Sequence, residues 1–353
     1  MLLIGFRGLE ADEKSPVIRD IRAGCIGGVV LFDRDLALKT GLRNIRSPRQ
    51  VKKLIASLQN AASVPLLVAV DQEGGQVVRL KKKHGFPETV SAQYLGDSDN
   101  LELTRRYAAE TAAALAKSGF NLNFSPLVDL NINPVNPIIG KYQRSFSANP
   151  DTVIRHAQAV IEVQREHGVS SCLKHFPGHG SSRQDSHFGF TDVSDTWSAI
   201  ELQPYREIIA RGQADIIMTA HIFNRHLDPI FPATLSAKTI TGLLRSELQF
   251  QGLVMADDLH MRAISDNYNL ETTLESSINA GVDILLFANN QIYDESVAAR
   301  AGAIITRLVE TNRVSTARID ESCQRILDLK KNRIGGSDSK CVKKFYLPGE
   351  VFQ

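Results

Sequence analysis

The sequence LLVAVD, residues 66–71, is an uninterrupted apolar run that ends on a carboxylate. A helix-period segment precedes it, PRQVKKLIASLQNAA at 48–62, and another follows it, LELTRRYAAETAAALAKSG at 101–119. A nearly continuous apolar strand between two amphipathic helices is typical of a parallel sheet that is covered on both faces. The stretch therefore predicts one strand–helix unit of a larger alternating fold.

The same pattern recurs along the chain. The other strand candidates are LLIGF (2–6), GGVVLF (27–32), NLNFSPLVDL (121–130), SSCLKHF (170–176), DIIMTAHI (215–222), GLVMADD (252–258) and DILLFAN (283–289). Helix-like stretches alternate with them, among them 150–168, 238–249 and 317–333. Eight such units predict an α/β fold, a (β/α)8 barrel of the TIM type, as a single domain. We expect the catalytic barrel to span residues 1–335 and a tail without periodicity to span 336–353.

Polar side chains stand where the predicted strands end. They are Asp33, Arg34, Asp71, Asp129, Lys174, His175, His221, Asp257, Asp258 and Asn289. In a barrel the C-terminal ends of the strands converge on one rim, where active sites are built. No GxGxxG follows an early strand, which argues against a dinucleotide site in an open sheet.

Composition narrows the function classes. The 353 residues are 43% hydrophobic and 23% charged, as expected of a soluble globular protein. Lys and Arg number 41 against 39 Asp and Glu, so the formal charge of +2 creates no global field for nucleic acid or an anionic membrane. The N-terminus lacks the features of a signal peptide, no stretch is long enough to span a bilayer, and four scattered cysteines form no CxxC. We expect a cytoplasmic monomer without a cofactor.

The segment KHFPGHGSSRQDSHFGF, residues 174–190, is unusually rich in titratable side chains. His175, His179, Asp185 and His187 are zinc ligands by type, so a metal-dependent hydrolase on the same barrel is one alternative. Against it, His175 and His179 bracket a Pro-Gly turn, and neither HExxH nor HxH occurs. A sugar-binding barrel without catalytic activity is a third, weaker reading.

A series of motifs in chain order resembles the family 3 glycoside hydrolases, and more narrowly the bacterial β-N-acetylglucosaminidases of the NagZ type. The motifs are VAVDQEGGQVVRL (68–80), RSF (144–146), KHFPGHGSSRQDSH (174–187), MTAHI (218–222), PATLS (232–236), VMADDLHM (254–261) and AGVDILL (280–286). The resemblance implies a retaining exo-β-N-acetylglucosaminidase that removes terminal GlcNAc from muropeptides in cytoplasmic cell-wall recycling. The implied substrate is GlcNAc β-1,4-linked to 1,6-anhydro-N-acetylmuramic acid. A GlcNAc phosphorylase of the same family is an alternative, because a histidine acid/base does not repel phosphate.

The resemblance also implies roles for particular residues. Asp257 matches the nucleophile, and His187 matches the acid/base, oriented by Asp185. The positions that hold sugar hydroxyls and the N-acetyl group are matched by Asp71, Arg79, Arg144, Lys174 and His175. No metal is implied. His221 is a further candidate for lining the pocket, whereas His179 is expected to shape the loop.

Two loops carry expectations of their own. Residues 177–188 are predicted to form a flexible lid, with His187 far from Asp257 when no sugar is bound. Around RSF the sequence departs from the family pattern at Tyr142, Gln143 and Ser147, which affects the loop that carries Arg144.

Overall fold

Eight parallel strands form the centre of the molecule in the computed structural model, which describes residues 1–333. They are β1 (Leu2–Gly5), β2 (Gly28–Val30), β3 (Leu67–Val70), β4 (Leu122–Asn123), β5 (Ser170–Phe176), β6 (Ile216–Thr219), β7 (Leu253–Ala256) and β8 (Leu285–Phe287). Each strand pairs with the next in the chain up to β7, and β1 also pairs with β8, with Leu2 opposite Leu285. A parallel bridge between Met255 and Ile284 joins β7 to the start of β8. The sheet thus closes on itself, and the predicted (β/α)8 barrel is confirmed.

Helices surround the strands. They are α1 (Pro16–Arg22), α2 (Pro48–Ala61), α3 (Ala92–Ser98), α4 (Leu101–Ser118), α5 (Pro150–Glu166), α6 (Gln203–Ala210), α7 (Arg262–Ser265), α8 (Leu270–Ala280), α9 (Val297–Glu310) and α10 (Thr316–Arg333). The segment predicted as a helix over 238–249 is a π-helix from Lys238 to Glu247. No helix within residues 1–333 has the length and apolarity to cross a bilayer. The predicted tail, 336–353, lies outside the described residues.

Local sequence explains where these helices begin. Ser47 caps the N-terminus of helix α2, since its hydroxyl accepts a hydrogen bond from the backbone N–H of Gln50 at 3.3 Å, and Pro48 occupies the first turn. Proline is tolerated there because the first helical N–H groups have no intrahelical partner. Helix α5 repeats the arrangement with Asn149 and Pro150. Both helices bury an apolar stripe in the core, with Val51, Leu54 and Leu58 in α2 as an example.

One predicted strand is much shorter than its apolar run. The run 121–130 forms a ladder only over β4, which comprises Leu122 and Asn123. Pro126 interrupts the ladder because it has no N–H to donate. The chain rejoins the sheet as an isolated parallel bridge between Leu127 and Lys174. Asp129 is therefore carried by an irregular segment next to β5.

The barrel interior is filled by apolar side chains from the strands, and helix α10 closes its N-terminal end. Ile326 and Leu329 of this helix pack against the interior cluster, and the Lys330 ammonium donates to the carbonyl of Gly27 at 2.9 Å. Asp283, just before β8, is buried and paired with three arginines. One end of the barrel is thus sealed, and the C-terminal ends of the strands border the opposite end.

Candidate active site

A cavity of about 340 Å³ opens at the C-terminal ends of the strands. All eight residues predicted for catalysis and substrate binding line it, namely Asp71, Arg79, Arg144, Lys174, His175, Asp185, His187 and Asp257. Lys174 and His175 lie at the end of β5, and the other six come from the segments that follow β3, β4, β5 and β7, which are far apart in the sequence. The barrel brings them together because parallel strands end on the same rim.

One side of the cavity is a network of opposite charges. The Lys174 ammonium lies 2.9 Å from Oδ1 of Asp71 and 2.7 Å from Oε1 of Glu73. Arg144 donates two hydrogen bonds to Glu73, at 2.8 and 2.7 Å, and Arg79 lies 3.4 Å from Asp71. Three cations thus share two carboxylates. The excess positive charge leaves donors available for the oxygen atoms of a bound sugar.

Glu73 was not among the predicted site residues, yet it organises this network. Its side chain is buried, and burial by itself would raise its pKa. The charges and hydrogen bonds of Arg144 and Lys174 outweigh burial and hold the pKa of Glu73 far below the ordinary carboxylate range. The negative charges of Asp71 and then Glu73 raise the pKa of Lys174 against the effect of burial, which favours its charged ammonium form. The spacing of Glu73 two residues after Asp71 was the available signal, because alternate residues of extended chain face the same way.

Arg144 takes a defined position despite the departures around it. Besides its two bonds to Glu73, it donates from Nη1 to the carbonyl of Ile138 at 3.0 Å. Gln143, one of the departures, has a positive φ of 54°, and its N–H donates to Gly140 in a turn. Tyr142 lines the cavity. The altered loop therefore still presents Arg144 to the site.

The two neighbouring carboxylates after β7 have different surroundings. Oδ1 of Asp258 accepts the N–H groups of His260 at 3.1 Å and Ala288 at 2.9 Å, and burial raises the pKa of Asp258 to about 6. Asp257 accepts the N–H of Asp258 at 2.7 Å. Burial would raise the pKa of Asp257, but the nearby histidines, His175 first, lower it instead. Both carboxylates line the cavity, but the ionised form is favoured at Asp257 and disfavoured at Asp258. Asp258 also joins the loops after β7 and β8 through its two backbone hydrogen bonds.

His187 and Asp185 form a hydrogen-bonded pair. Nδ1 of His187 lies 2.8 Å from Oδ1 of Asp185, which also accepts the His187 backbone N–H at 2.9 Å. Burial works to lower the pKa of His187, but the bond to Asp185 and the negative charge of Asp257 raise it. An imidazole with its Nδ1 occupied by a carboxylate can exchange a proton through Nε2. The pair can therefore act as a general acid and then as a base near neutral pH.

Hydrogen bonds to buried residues hold the loop that carries this pair. Asn136 is fully buried and donates to the carbonyls of His179 at 2.8 Å and Gly180 at 3.2 Å. Nε2 of His179 lies 3.1 Å from the Ser186 hydroxyl, and the N–H of Gly180 donates to Glu201 at 2.9 Å. A Cβ at Gly180 would stand 1.7 Å from a backbone carbonyl, so only glycine fits. His179 therefore shapes the loop, as its place in the PGHG turn suggested.

In the conformation of this structure, His187 and Asp257 line the same cavity. The predicted opening of the 177–188 loop in the absence of sugar stays a prediction. The neighbouring Ser186 explains this position, since its carbonyl accepts the N–H of Ala263 and its hydroxyl contacts His179. The loop thus packs over the site in this conformation.

Asp129 was predicted to stand at a strand end on the rim, but the sequence assigned it no role in the site. Its Oδ2 lies 2.7 Å from Nδ1 of His175, and its carboxylate also accepts the backbone N–H groups of His175 and His179. Fully buried, it fixes the ring of His175 and the start of the loop at once. The peptide bond between Lys174 and His175 is cis. Sequence alone placed Asp129 at a strand end without revealing its partner.

His221 does not line the cavity, contrary to expectation. It is buried, with Nδ1 at 2.8 Å from the Thr234 hydroxyl and Nε2 at 3.0 Å from the carbonyl of Asp258. Both ring nitrogens are therefore occupied. Burial lowers the pKa of His221, which favours the neutral ring. Its role is to support the backbone that carries Asp257 and Asp258.

The arrangement does not suit the metal-dependent alternative. His175, His179 and His187 each direct a ring nitrogen to a different partner, respectively Asp129, Ser186 and Asp185. Within residues 1–333, no group of three or more His, Cys, Asp or Glu side chains has the geometry to hold a metal ion. The three histidines instead serve three separate hydrogen-bonded pairs.

Comparison with known proteins gives concordant results. The model of the glycosyl hydrolase family 3 N-terminal domain matches residues 7–329. The chain is 36% identical over 340 residues to beta-hexosaminidase A of Pseudoalteromonas piscicida, covering 86% of this chain and 53% of that protein. It is 34% identical over 308 residues to the beta-hexosaminidase of Tolumonas auensis, covering 86% and 84%. This chain thus spans about half the length of the first relative and most of the second.

A solved structure is also closely similar. It is a glycoside hydrolase family 3 beta-N-acetylglucosaminidase from Paenibacillus sp. str. FPU-7, with a TM-score of 0.86 and 35% sequence identity. The match covers 100% of this chain and 64% of that one. Sequence and fold therefore point to the same family.

Proposed function

This chain belongs to glycosyl hydrolase family 3, and on that premise we propose that it is a retaining exo-β-N-acetylglucosaminidase. The observation that carries the proposal is that Asp257, after β7, and the His187–Asp185 pair, after β5, line one cavity. A retaining glycosidase needs a nucleophile at the anomeric carbon and a proton donor at the leaving oxygen. The names of the similar proteins support N-acetylhexosamine as the glycosyl group.

In the first step Asp257 attacks the anomeric carbon, and a carbon–oxygen bond to its carboxylate forms. His187 transfers its Nε2 proton to the glycosidic oxygen as that bond breaks, so the aglycone leaves as an alcohol. In the second step neutral His187 takes a proton from water, the water oxygen attacks the anomeric carbon, and Asp257 is released. The lowered pKa of Asp257 and the raised pKa of His187 supply a carboxylate and an imidazolium, the forms that the first step requires.

We assign the glycosyl subsite to the charge network and His175. Asp71 accepts hydrogen bonds from sugar hydroxyls, while Arg79, Arg144 and Lys174 donate to sugar oxygens or to the N-acetyl carbonyl. Glu73 and Asp129 hold these groups in place without lining the same cavity themselves. Rigid placement matters because an error of about 1 Å in a reacting group can cost about 100-fold in rate.

The physiological substrate that we propose is GlcNAc linked to 1,6-anhydro-N-acetylmuramic acid, with or without its peptide, cleaved in the cytoplasm during wall recycling. The support is the likeness of the KHFPGHGSSRQDSH segment to the NagZ-type enzymes. A histidine as acid/base also leaves phosphorolysis open, because imidazole does not repel phosphate as a second carboxylate would. Hydrolysis in phosphate buffer with product analysis distinguishes free GlcNAc from GlcNAc 1-phosphate.

Trapping of the covalent intermediate tests the nucleophile. A 2- or 5-fluoro glycosyl substrate slows breakdown of the intermediate, because fluorine destabilises the oxocarbenium-like transition state. Peptide mapping is expected to find the sugar on Asp257. Label on Asp258, or no label together with inverted product, contradicts the assignment.

The dependence on leaving group tests the proton donor. His187→Ala should cripple cleavage of a GlcNAc disaccharide but largely spare formation of the glycosyl-enzyme from 4-nitrophenyl GlcNAc, because nitrophenolate leaves without a proton. His226→Ala is a matched control, since His226 lies on another loop and does not line the cavity. Equal losses on both substrates in His187→Ala would show that the residue has a binding or structural role.

A further inference from the structure

The mouth of the cavity carries large apolar side chains that no part of residues 1–333 covers. Phe188 is 71% exposed, Tyr142 39% and Leu36 38%, and all three line the cavity. They come from the loops after β5, β4 and β2, so they are gathered by the fold rather than by sequence proximity. An exposed aromatic ring at the rim of a polar site is a typical binding surface, because one face of a sugar ring is apolar.

The position of Phe188 in the chain locates this surface relative to the chemistry. It directly follows His187, so its Cα lies about 3.8 Å from that of the proposed proton donor. The donor must reach the oxygen between the two halves of the substrate. Phe188 is next to this donor, lines the same cavity and reaches its mouth. We therefore expect Phe188 to face the half of the substrate that departs, the aglycone.

The loops that carry Tyr142 and Phe188 are joined to each other. The side chain of Asn133 donates to the carbonyl of Ser182 at 2.8 Å, and its backbone N–H donates to Gly180. The two aromatic residues thus belong to connected loops. Phe190 offers a contrast on the same loop, since its ring packs on Phe223 at 5.3 Å and does not line the cavity.

A free positive charge accompanies the apolar surface. Arg34 is exposed and lines the cavity, and within residues 1–333 it has no ion-pair or hydrogen-bond partner for its guanidinium. The preceding carboxylate does not neutralise it, because Asp33 pairs with Lys81 at 2.5 Å. An unpaired guanidinium is suited to bind a carboxylate in bidentate fashion.

We propose that Phe188, Tyr142 and Leu36 bind the aglycone as a sugar ring, and that Arg34 selects an aglycone that bears a carboxylate. This inference rests on the proposed function, since it concerns the leaving group of that reaction. The glycosyl subsite recognises GlcNAc, and the residues at the mouth of the cavity select among substrates by the aglycone that is linked to GlcNAc. The ligand class is a β-linked disaccharide whose second ring is acidic.

Three substrates with the same glycosyl group test this. GlcNAc β-fluoride has no aglycone ring, chitobiose has a neutral one, and GlcNAc–1,6-anhydro-N-acetylmuramic acid has a carboxylate. Phe188→Ala should lower kcat/KM for both disaccharides about 3- to 10-fold, the range of a lost ring contact, and leave the fluoride unchanged. Tyr142→Ala is a second variant with the same expected pattern. Phe190→Ala is the matched control and should leave the three substrates in their wild-type ratio.

Arg34→Ala should lower kcat/KM only for the carboxylate-bearing disaccharide, by about tenfold for a charge-assisted bond. Arg183→Ala, another exposed arginine but one that does not line the cavity, is its control. Equal losses on all three substrates in Phe188→Ala and Tyr142→Ala overturn the apolar part, and equal losses on both disaccharides in Arg34→Ala overturn the charge part. A wild-type enzyme that does not release GlcNAc from the fluoride refutes the proposed function itself, which is a different result.

Discussion

Replacing Glu73 by glutamine should destabilise the protein far more than an exposed change of the same kind. Glu73 has a side chain only 5% exposed and contacts two cations, Arg144 at 10% and Lys174 at 2% exposure. Glu73→Gln keeps the shape of the side chain but removes the negative charge that offsets the charges of Arg144 and Lys174. Breaking a buried pair costs about 3–5 kcal/mol, and we expect the lower end because the amide oxygen can still accept one hydrogen bond.

The corresponding shift in melting temperature follows from chain length. At about 2.1 cal/mol/K per residue, unfolding of a chain of this size carries an entropy of about 0.7 kcal/mol/K, so 3 kcal/mol lowers Tm by about 4 °C. Glu88→Gln is the matched control, because Glu88 pairs with Lys82 at 2.6 Å while both side chains are about 70% exposed. An exposed pair contributes less than about 1 kcal/mol, so the control should move Tm by at most about 1.5 °C.

The pH dependence of this difference gives a second check. Because the folded pKa of Glu73 is lowered, its contribution is present above the ordinary carboxylate value of 4.5 and is lost as pH falls below it. The Tm gap between wild type and Glu73→Gln should therefore be full at pH 7 and smaller at pH 4. Calorimetry of both variants at the two pH values measures this. Equal Tm shifts for Glu73→Gln and Glu88→Gln at pH 7 would refute the reasoning.

Three further predictions concern the catalytic loops. Asp185→Asn should move the basic limb of the kcat/KM–pH profile for a disaccharide to lower pH, because the bond from Asp185 raises the pKa of His187; an unmoved limb would contradict this. Asn136→Ala should lower kcat for a disaccharide about 10- to 100-fold, because it loosens the loop that carries His187, and should affect 4-nitrophenyl GlcNAc less. Measured kcat values for both substrates test this, and equal losses would contradict it. Asp258→Asn should make the protein more stable than wild type at pH 8, with the Tm difference shrinking as pH falls from about 6 toward 3.8, because the cost of ionising Asp258 builds up between its ordinary pKa and its raised pKa in the fold; a Tm difference unchanged between pH 8 and pH 4 would contradict this.

The architecture and most of the site were predictable because both depend on local patterns. Apolar runs separated by amphipathic helices specify the alternation of strands and helices, and polar residues at the strand ends then meet on the barrel rim. The eight predicted site residues accordingly line one cavity. The strand bounds were less accurate, since β4 retains only two residues of a ten-residue apolar run.

Buried partners of the site residues could not be predicted in the same way. Glu73 and Arg144 are 71 residues apart in the chain, and Asp129 and His175 are 46 apart. No local sequence pattern around Glu73 or Asp129 indicates which distant residue each carboxylate contacts. His221 illustrates the opposite error, because a histidine at a strand end looks like a site residue until both ring nitrogens are seen to be occupied.

The pairing of the first strand with the last has a consequence for synthesis. Leu2 stands opposite Leu285, so one edge of β1 has no partner until some 283 further residues have been made. At about 5–20 residues per second, a nascent chain would expose that edge for about 15–60 s. An unpaired edge of apolar residues is a template for association with other chains. The LLIG segment of β1 is therefore the place where a cell that overproduces this chain should first see aggregation.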